Sequence, residues 1–252
     1  VYAYGDCAGG GFGFNASTEV LTKELTIKPT SVQGRYYVGG CIGANVVNLS
    51  KNLTMEYFRA DNRLGSIVGE AFCGGIIGYQ RTYTAKQFGT GALLDEMDAQ
   101  QSAILPGIDG KTNLPGAEAA SANTHTLTIC DSRNENNSLQ TITNNIPIRA
   151  WLYVGGIVGY CENNSKLVIS NCVNEGTIGT PANDDTQHTH AKNGVNLAIF
   201  IAGEVDGRQL ADGAADVTIC PIGGIIGVNL KNQVIEHCAN KGTITGTSGI
   251  GG

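Results

Sequence analysis

Glycine doublets that recur along the chain are the feature that most limits how this sequence can fold. Two glycines, two further residues and a third glycine occur as GGGFG (9–13), GGCIG (39–43), GGIIG (74–78), GGIVG (155–159) and GGIIG (223–227). Such recurrence indicates structural units that stack on one another. The last two residues are again a doublet, so we expect a sixth unit to begin there and the sequence to be truncated within it.

A second motif follows the doublet in the clearest copies. LVISNCVNEGTI (167–178) aligns with QVIEHCANKGTI (233–244), which matches Cys172 to Cys238. More diverged copies are LTMEYFRADNRLGSI (53–67) and LTICDSRNENNSL (127–139). Each copy reads as three short strands, separated by turns in which Gly, Asn or Asp adopts a left-handed backbone conformation. In LVIS, strand alternation directs Leu167 and Ile169 inward and Val168 outward.

Units of this size cannot bury their own apolar face, and stacking them about 4.8 Å apart creates a continuous core. The sequence therefore predicts an all-β fold, a β-helix or β-solenoid of about five coils, as a single domain over 1–252. Repeats are expected to start near residues 9, 39, 74, 155 and 223.

Two pairs of neighbouring doublets lie further apart than one coil requires, which predicts long insertions at about 85–123 and 181–216. Long insertions are tolerated because loop-closure entropy grows slowly with length. In the first insertion, 90–107 has the apolar spacing of a short amphipathic helix, and in the second, 195–205 has the composition of a strand.

Charge and hydropathy exclude several classes of partner. With 22 acidic and 16 basic residues the net charge is -6, which argues against a nucleic-acid partner and against docking on an anionic membrane. No apolar run reaches the roughly 18 residues of a membrane-spanning helix. Val1 replaces an initiator methionine and no charged leader follows it, so we expect a processed or shortened chain.

The eight cysteines contain no CxxC pair, so the ligand spacing that is typical of zinc fingers is absent. We expect most of them to be thiols that fill the core as small residues. Disulfides between neighbouring coils are the alternative. Cys7 in GDCAGG has the local sequence of a chymotrypsin-like nucleophile loop, but it lies at the start of the chain and overlaps the repeat, so coincidence is favoured. The doublets also lack the context of a nucleotide-binding loop.

The strand GG-[IV]-[IV]-G followed by I-x-x-C-x-N-x-G-T-I resembles the GLUG-type repeats of bacterial surface and secreted proteins of the Bacteroides kind. The resemblance is close for 153–180 and 222–252 and partial for 36–79. It implies a right-handed β-helix exported to the cell surface, in which the repeats act as stalk or adhesin modules beside other domains. The motif brings no catalytic residue with it.

Candidate metal ligands occur in the second insertion, where DDTQHTH contains Asp184, Asp185, His188 and His190. Two histidines at i and i+2 beside two carboxylates are able to ligate a transition metal if they share one face. An exposed polar loop tip is the favoured reading, and we expect no metal and no cofactor.

Aromatic residues flank the doublets, and the candidates for ligand binding are Tyr79, Tyr83, Trp151, Tyr153 and Tyr160. On the outer face of adjacent coils they would form a strip that stacks sugar rings. The alternative, which we favour, is that about half point inward and the rest cover the insertion.

The expected function is a non-catalytic, secreted or cell-surface module for adhesion, for binding a glycan or a surface protein, or for spacing such a binder. The alternative is a carbohydrate-active β-helix enzyme, a lyase or glycosidase, with an acid pair such as Asp95/Asp98 or Asp184/Asp185.

Overall fold

The structure is a computed structural model that describes residues 1, 7–15, 25–34, 36–48, 52–56, 58–69, 71–83, 123–130, 132–133, 139–150, 152–163, 165–179, 222–230, 233–246 and 250–252. All regular structure within these residues is β-strand. The helix predicted at 90–107 and the strand predicted at 195–205 lie outside them.

The strands form five parallel sheets, numbered here in the order in which the chain enters them. Sheet 1 contains β1 (Ala8–Gly9), β5 (Tyr36–Gly39), β10 (Ala71–Gly74), β17 (Leu152–Gly155), β22 (Ile222–Gly223) and β27 (Ile250–Gly251). Sheet 2 contains β2 (Phe12–Asn15), β6 (Ile42–Asn48), β11 (Ile77–Tyr83), β18 (Val158–Asn163) and β23 (Ile226–Leu230). Sheet 3 contains β7 (Leu53–Glu56), β12 (Asn123–Cys130), β19 (Ser165–Ser170) and β24 (Gln233–Glu236).

Sheet 4 contains β3 (Leu25–Ile27), β8 (Phe58–Ala60), β15 (Ile142–Asn144), β20 (Cys172–Asn174) and β25 (Ala239–Asn240). Sheet 5 contains β4 (Ser31–Gln33), β9 (Ser66–Val68), β16 (Ile148–Arg149), β21 (Ile178–Gly179) and β26 (Ile244–Thr245). The chain passes through sheets 1 to 5 and returns to sheet 1 one strand further along. The fold is therefore a β-solenoid, as predicted, with five strands in a complete coil rather than the three that the motifs indicate.

The glycine doublets set the register of the stack. The first glycines of the six doublets are matched to one another across the neighbouring strands of sheet 1. The coils belong to one compact unit formed by Val1–Tyr83, Ala122–Ala182 and Ile219–Gly252. The remaining residues, 84–121 and 183–218, lie outside the described part of the chain.

The apolar core lies inside the coils. In sheet 3, Leu167 and Ile169 are fully buried while Val168 between them is partly exposed, which confirms the predicted alternation. Leu127 and Leu167 are paired in adjacent strands, and so are Ile129 and Ile169, so that each interior position is filled by similar side chains from coil to coil.

A hairpin interrupts the third coil and corrects the alignment of 127–139. The pairing of LTIC with LVIS holds, but β13 (Ser132–Arg133) and β14 (Leu139–Gln140) then form an antiparallel pair that leaves the repeat. The chain resumes at Ile142, which is matched to Cys172. The prediction was wrong beyond Cys130 because the hairpin occupies the residues assigned to the repeat.

Left-handed backbone conformations are not supplied by the doublets. No described doublet glycine has φ in that region. Instead Tyr37 (φ 55°), Phe72 (φ 55°) and Tyr153 (φ 52°) adopt it, each two residues before a doublet. Asn171 (φ 53°) fits the expectation that asparagine serves at a turn. The doublet glycines have a steric role instead, because neighbouring coils approach closely at these positions.

Candidate functional site

In the first five doublets, each glycine lies where the structure leaves no room for a side chain. A Cβ on Gly155 would be 1.9 Å from the carbonyl oxygen of Val158, and one on Gly156 would be 2.1 Å from that of Gly224. The same Cβ on Gly156 would be 2.5 Å from Cγ of Asn174. Atoms at these distances overlap, so the doublets are needed for close packing between and across coils and not for cradling a ligand.

An asparagine ladder runs through three coils opposite the doublets. Nδ2 of Asn144 donates to Oδ1 of Asn174 (2.8 Å), and Nδ2 of Asn174 donates to Oδ1 of Asn240 (2.7 Å). Each Nδ2 also donates to the carbonyl oxygen two residues later, as Asn174 does to Gly176 (2.9 Å). Asn144 and Asn174 are fully buried, and these bonds satisfy their amide hydrogens.

A second polar ladder crosses sheet 2. Nδ2 of Asn15 donates to Oδ1 of Asn45 (2.6 Å), whose Nδ2 donates to Oε1 of Gln80 (2.6 Å). Asn45 also contacts the sulfur of Met55 (3.4 Å), a core residue. Polar side chains inside the coils are therefore occupied in holding one coil to the next.

Two stacked rows of aromatic rings lie beside each other across the early coils. Tyr37, Phe72 and Tyr153 form one row, with ring centroids 4.9 Å apart in each successive pair. Tyr79 and Tyr160 form the other, with centroids 5.7 Å apart. Edge-to-face contacts join the rows, for example Tyr153 to Tyr160 at 5.3 Å. Such contacts stabilise packing beyond simple burial.

The rings do not provide the outer binding strip that the sequence suggested for them. Tyr79, Tyr153 and Tyr160 are at most 1% exposed, so their faces are covered by other protein atoms. The prediction of an exposed strip is therefore wrong for these three tyrosines, because they are buried. Tyr83 is the last residue of β11 with no described side chain, and Trp151 lies outside the described residues.

A charged surface with exposed side chains follows the asparagine ladder. We call it the charged corner, and it consists of Arg59, Asp61, Arg63, Asn145, Glu175 and Lys241. Glu175 is the residue after Asn174, and Lys241 is the residue after Asn240. Their backbone N–H groups donate to the carbonyl oxygens of Asn144 and Asn174, 2.7 Å away in both cases. The ladder positions thus fix the backbone from which these charged side chains project.

Ion pairs connect the charged corner across coils. Arg63 lies 3.2 Å from one carboxylate oxygen of Glu175, and Nζ of Lys241 lies 3.6 Å from the other. The side chains of Arg63 and Lys241 are 77% and 62% exposed, so both cations are accessible to a ligand. Exposed pairs of this kind contribute little to stability, about 0–1 kcal/mol.

A smaller polar cluster lies deeper in the same corner. Arg59 lies 3.1 Å from Asp61, and Nδ2 of Asn145 donates to the other carboxylate oxygen of Asp61. Two buried atoms of this cluster, Nε of Arg59 and Oδ1 of Asn145, have no hydrogen-bond partner in the described part of the chain. One is a donor and the other an acceptor, which is the complement of a hydroxyl group.

The sequence reasoning did not find the charged corner. The available signal was the residue after each ladder asparagine, acidic in Asn174-Glu175 and basic in Asn240-Lys241. Asp95, Asp98, Asp184, Asp185, His188 and His190 lie outside the described residues. Within those residues, no three His, Cys, Asp or Glu side chains form a group able to hold a metal ion.

Cysteine positions agree with the thiol prediction. The seven described cysteines are thiols, and Cys41, Cys73, Cys161 and Cys172 are buried. Cys7 (φ 63°) precedes the first doublet by two residues, as Tyr37 and Phe72 precede theirs. This placement supports reading GDCAGG as part of the repeat.

Comparisons with protein-family models, with curated proteins and with solved structures gave no match for this chain. Over the residues that the structure describes, no helix is long and apolar enough to span a membrane.

Proposed function

We propose that this chain is a non-catalytic solenoid module of a secreted or cell-surface bacterial protein, which binds a glycan or a protein ligand or spaces such a binder. The observation that carries the proposal is that the polar side chains of the described coils bond to one another. Inside the coils they form ladders between successive coils. On the charged corner the acids pair with cations from the same coil, from the next coil and from a coil two positions away. The described groups are arranged for a stiff, ordered stack with an accessible charged edge.

The charged corner is the surface to which we assign ligand contact. Arg63 and Lys241 offer exposed cationic groups for carboxylate or sulfate groups of a ligand. The unsatisfied donor of Arg59 and acceptor of Asn145 suit a hydroxyl group, which a shift of the partly exposed Arg59 side chain would admit. Acidic and hydroxyl groups together are typical of glycans, so acidic polysaccharides are the first ligands to test.

The test combines a binding array with an assay of turnover. The protein is screened on acidic and neutral glycans and on host surface proteins, and released reducing ends and unsaturated sugars are measured in parallel. We expect retention of a ligand without product. The double variant Arg63→Glu/Lys241→Glu is expected to lower affinity at least tenfold, because both exposed cations are reversed.

Lys166→Glu is the matched control, since Lys166 is equally a surface cation but lies on sheet 3, away from the charged corner. It is expected to leave binding unchanged. Equal losses in the two proteins would refute the assignment of the surface. Product release would instead favour the alternative, a carbohydrate-active β-helix enzyme, and would overturn the non-catalytic proposal.

A further inference from the structure

Two cysteines occupy the same position in the last two complete coils. The residues around them are matched in register, Ser170 with Glu236 before the cysteines and Val173 with Ala239 after them. Cys172 is fully buried, whereas Cys238 is only partly buried. Each follows a residue in the left-handed conformation, Asn171 or His237, so the local backbone is the same in both coils.

The other buried cysteines have different neighbours in the stack. Cys73 is matched to Val38 on one side and Val154 on the other, and Cys161 is matched to Gln80 and Asn229. Among the cysteines in described strands, these registers stack none directly on another. Cys172 and Cys238 are therefore distinguished by occupying matched positions in neighbouring coils.

The two thiols differ in the way that an attacking and a resolving cysteine differ. A hydrogen bond from the Cys172 thiol, acting against partial burial, lowers the pKa of Cys238 to about 7. Cys238 is partly buried, and its lowered pKa increases the thiolate fraction at neutral pH. Cys172 is fully buried, and the Cys238 sulfur lies 3.8 Å from the carbonyl oxygen of Ile169, which belongs to the coil that contains Cys172.

We propose that Cys172 and Cys238 form an oxidisable dithiol, which a small disulfide such as oxidised glutathione converts to a disulfide between coils. The Cys238 thiolate attacks one sulfur of the small disulfide, forming a mixed disulfide and releasing one thiolate. Cys172 then loses its proton to the released thiolate and attacks the Cys238 sulfur, which expels the second thiolate. Two protein thiols are oxidised by two electrons, and one disulfide is reduced to two thiols.

The geometry of the coils allows the bond but does not favour it strongly. Neighbouring strands lie about 4.7–4.9 Å apart, within the usual range of separations between Cα atoms in disulfides. Cβ atoms stacked at that spacing lie beyond the range of about 3.5–4.5 Å that disulfides prefer, so the last coil must shift to close the bond. A strained disulfide is readily reduced again, which makes the pair reversible. When closed, it ties β24 and β25 to the coil below them.

The experiment uses the full chain in glutathione buffers of increasing oxidised fraction, quenched by acid and digested with trypsin without reduction. Cleavage after lysine gives peptides 167–192 and 232–241, which contain Cys172 and Cys238 as their only cysteines. We expect these peptides to appear joined, at a mass two hydrogens below their sum. Hydrogen exchange over 233–246 is expected to slow at least tenfold, and the melting temperature to rise by about 5 °C.

Three variants make the result specific. Cys238→Ser removes the cross-link, and because the residue is only partly buried the variant is expected to fold. Cys172→Ser is expected to leave Cys238 as a mixed disulfide with glutathione. Cys130→Ser is the matched control, since Cys130 is also partly buried and lies in β12, and it retains the cross-link. A wild-type protein that accumulates only the mixed disulfide, or one whose oxidation leaves exchange over 233–246 unchanged, would overturn the proposal.

Discussion

Replacing the middle asparagine of the ladder measures how strongly the ladder holds the coils together. Asn174→Ala removes three hydrogen bonds, from Asn144 (2.8 Å), to Asn240 (2.7 Å) and to the carbonyl of Gly176 (2.9 Å). The site is fully buried, so water does not replace the lost partners. At about 0.5–1.5 kcal/mol for each bond, plus the penalty of leaving an amide hydrogen of Asn144 unsatisfied, the free energy of unfolding should fall by about 3–5 kcal/mol.

Asn240→Ala is the comparison, because Asn240 ends the ladder in a partly exposed coil. It loses the bond from Asn174 and its own bond to the carbonyl of Gly242 (2.9 Å), but Asn240 and Gly242 are both partly exposed. The expected loss is about 1–2 kcal/mol. The same substitution is made at both sites, and alanine is smaller than asparagine. A steric clash therefore does not contribute to the difference in stability between the two variants.

The assay is equilibrium urea unfolding followed by far-ultraviolet circular dichroism, with the slope of the transition checked for each variant. A double-mutant cycle that adds Asn144→Ala isolates the coupling between Asn144 and Asn174, which should be about 1 kcal/mol or more. The reasoning is refuted if Asn174→Ala costs no more than Asn240→Ala, or if Asn144 and Asn174 contribute additively.

Two further predictions concern sterics and pH. Gly156→Ala should prevent the native stack or lower the melting temperature by more than 10 °C, because its Cβ would be 2.1 Å from the carbonyl oxygen of Gly224. Gly179→Ala should change the melting temperature by less than 2 °C, because the nearest atom to its Cβ would be 3.9 Å away. Differential scanning calorimetry of the two proteins checks this, and equal effects would contradict it. Burial raises the pKa of Cys41 from 9.0 to about 12, so above about pH 9 the unfolded chain loses a proton that the folded chain keeps, and stability falls as pH rises. Urea midpoints between pH 8 and 11 should decline in the wild type and decline less in Cys41→Ala, and parallel curves would count against this cause.

The stacking of coils was predictable from the sequence because close packing between coils requires glycine at fixed positions. Gly155 and Gly156 are in close contact with backbone atoms of their own and the next coil, so no other residue fits and the doublet recurs visibly. The hairpin at 132–140 was not predictable in the same way, because its residues have the polar composition of the turns that they interrupt.

The side on which the tyrosines lie was not predictable, since alternation fails as a guide where both faces of a strand are covered. Tyr79 and Gln80 are neighbours in β11 and both are fully buried, one among rings and the other in a polar ladder. The charged corner was missed for a different reason. Arg63 and Glu175 are separated by 112 residues, and only the stacking of coils brings them together.

The asparagine ladder also gives the solenoid a direction. In every rung the amide nitrogen faces the coil that follows, and the second bond from that nitrogen to a carbonyl of its own turn prevents the amide from rotating. Reversing one rung would place two donors against each other on one side and two acceptors on the other, so the rungs reverse together or not at all. The side-chain dipoles therefore add along the axis of the solenoid, and the two ends of the ladder differ in their hydrogen-bonding groups. The earlier end presents acceptors and the later end presents donors, so two such ladders can continue one another only head to tail.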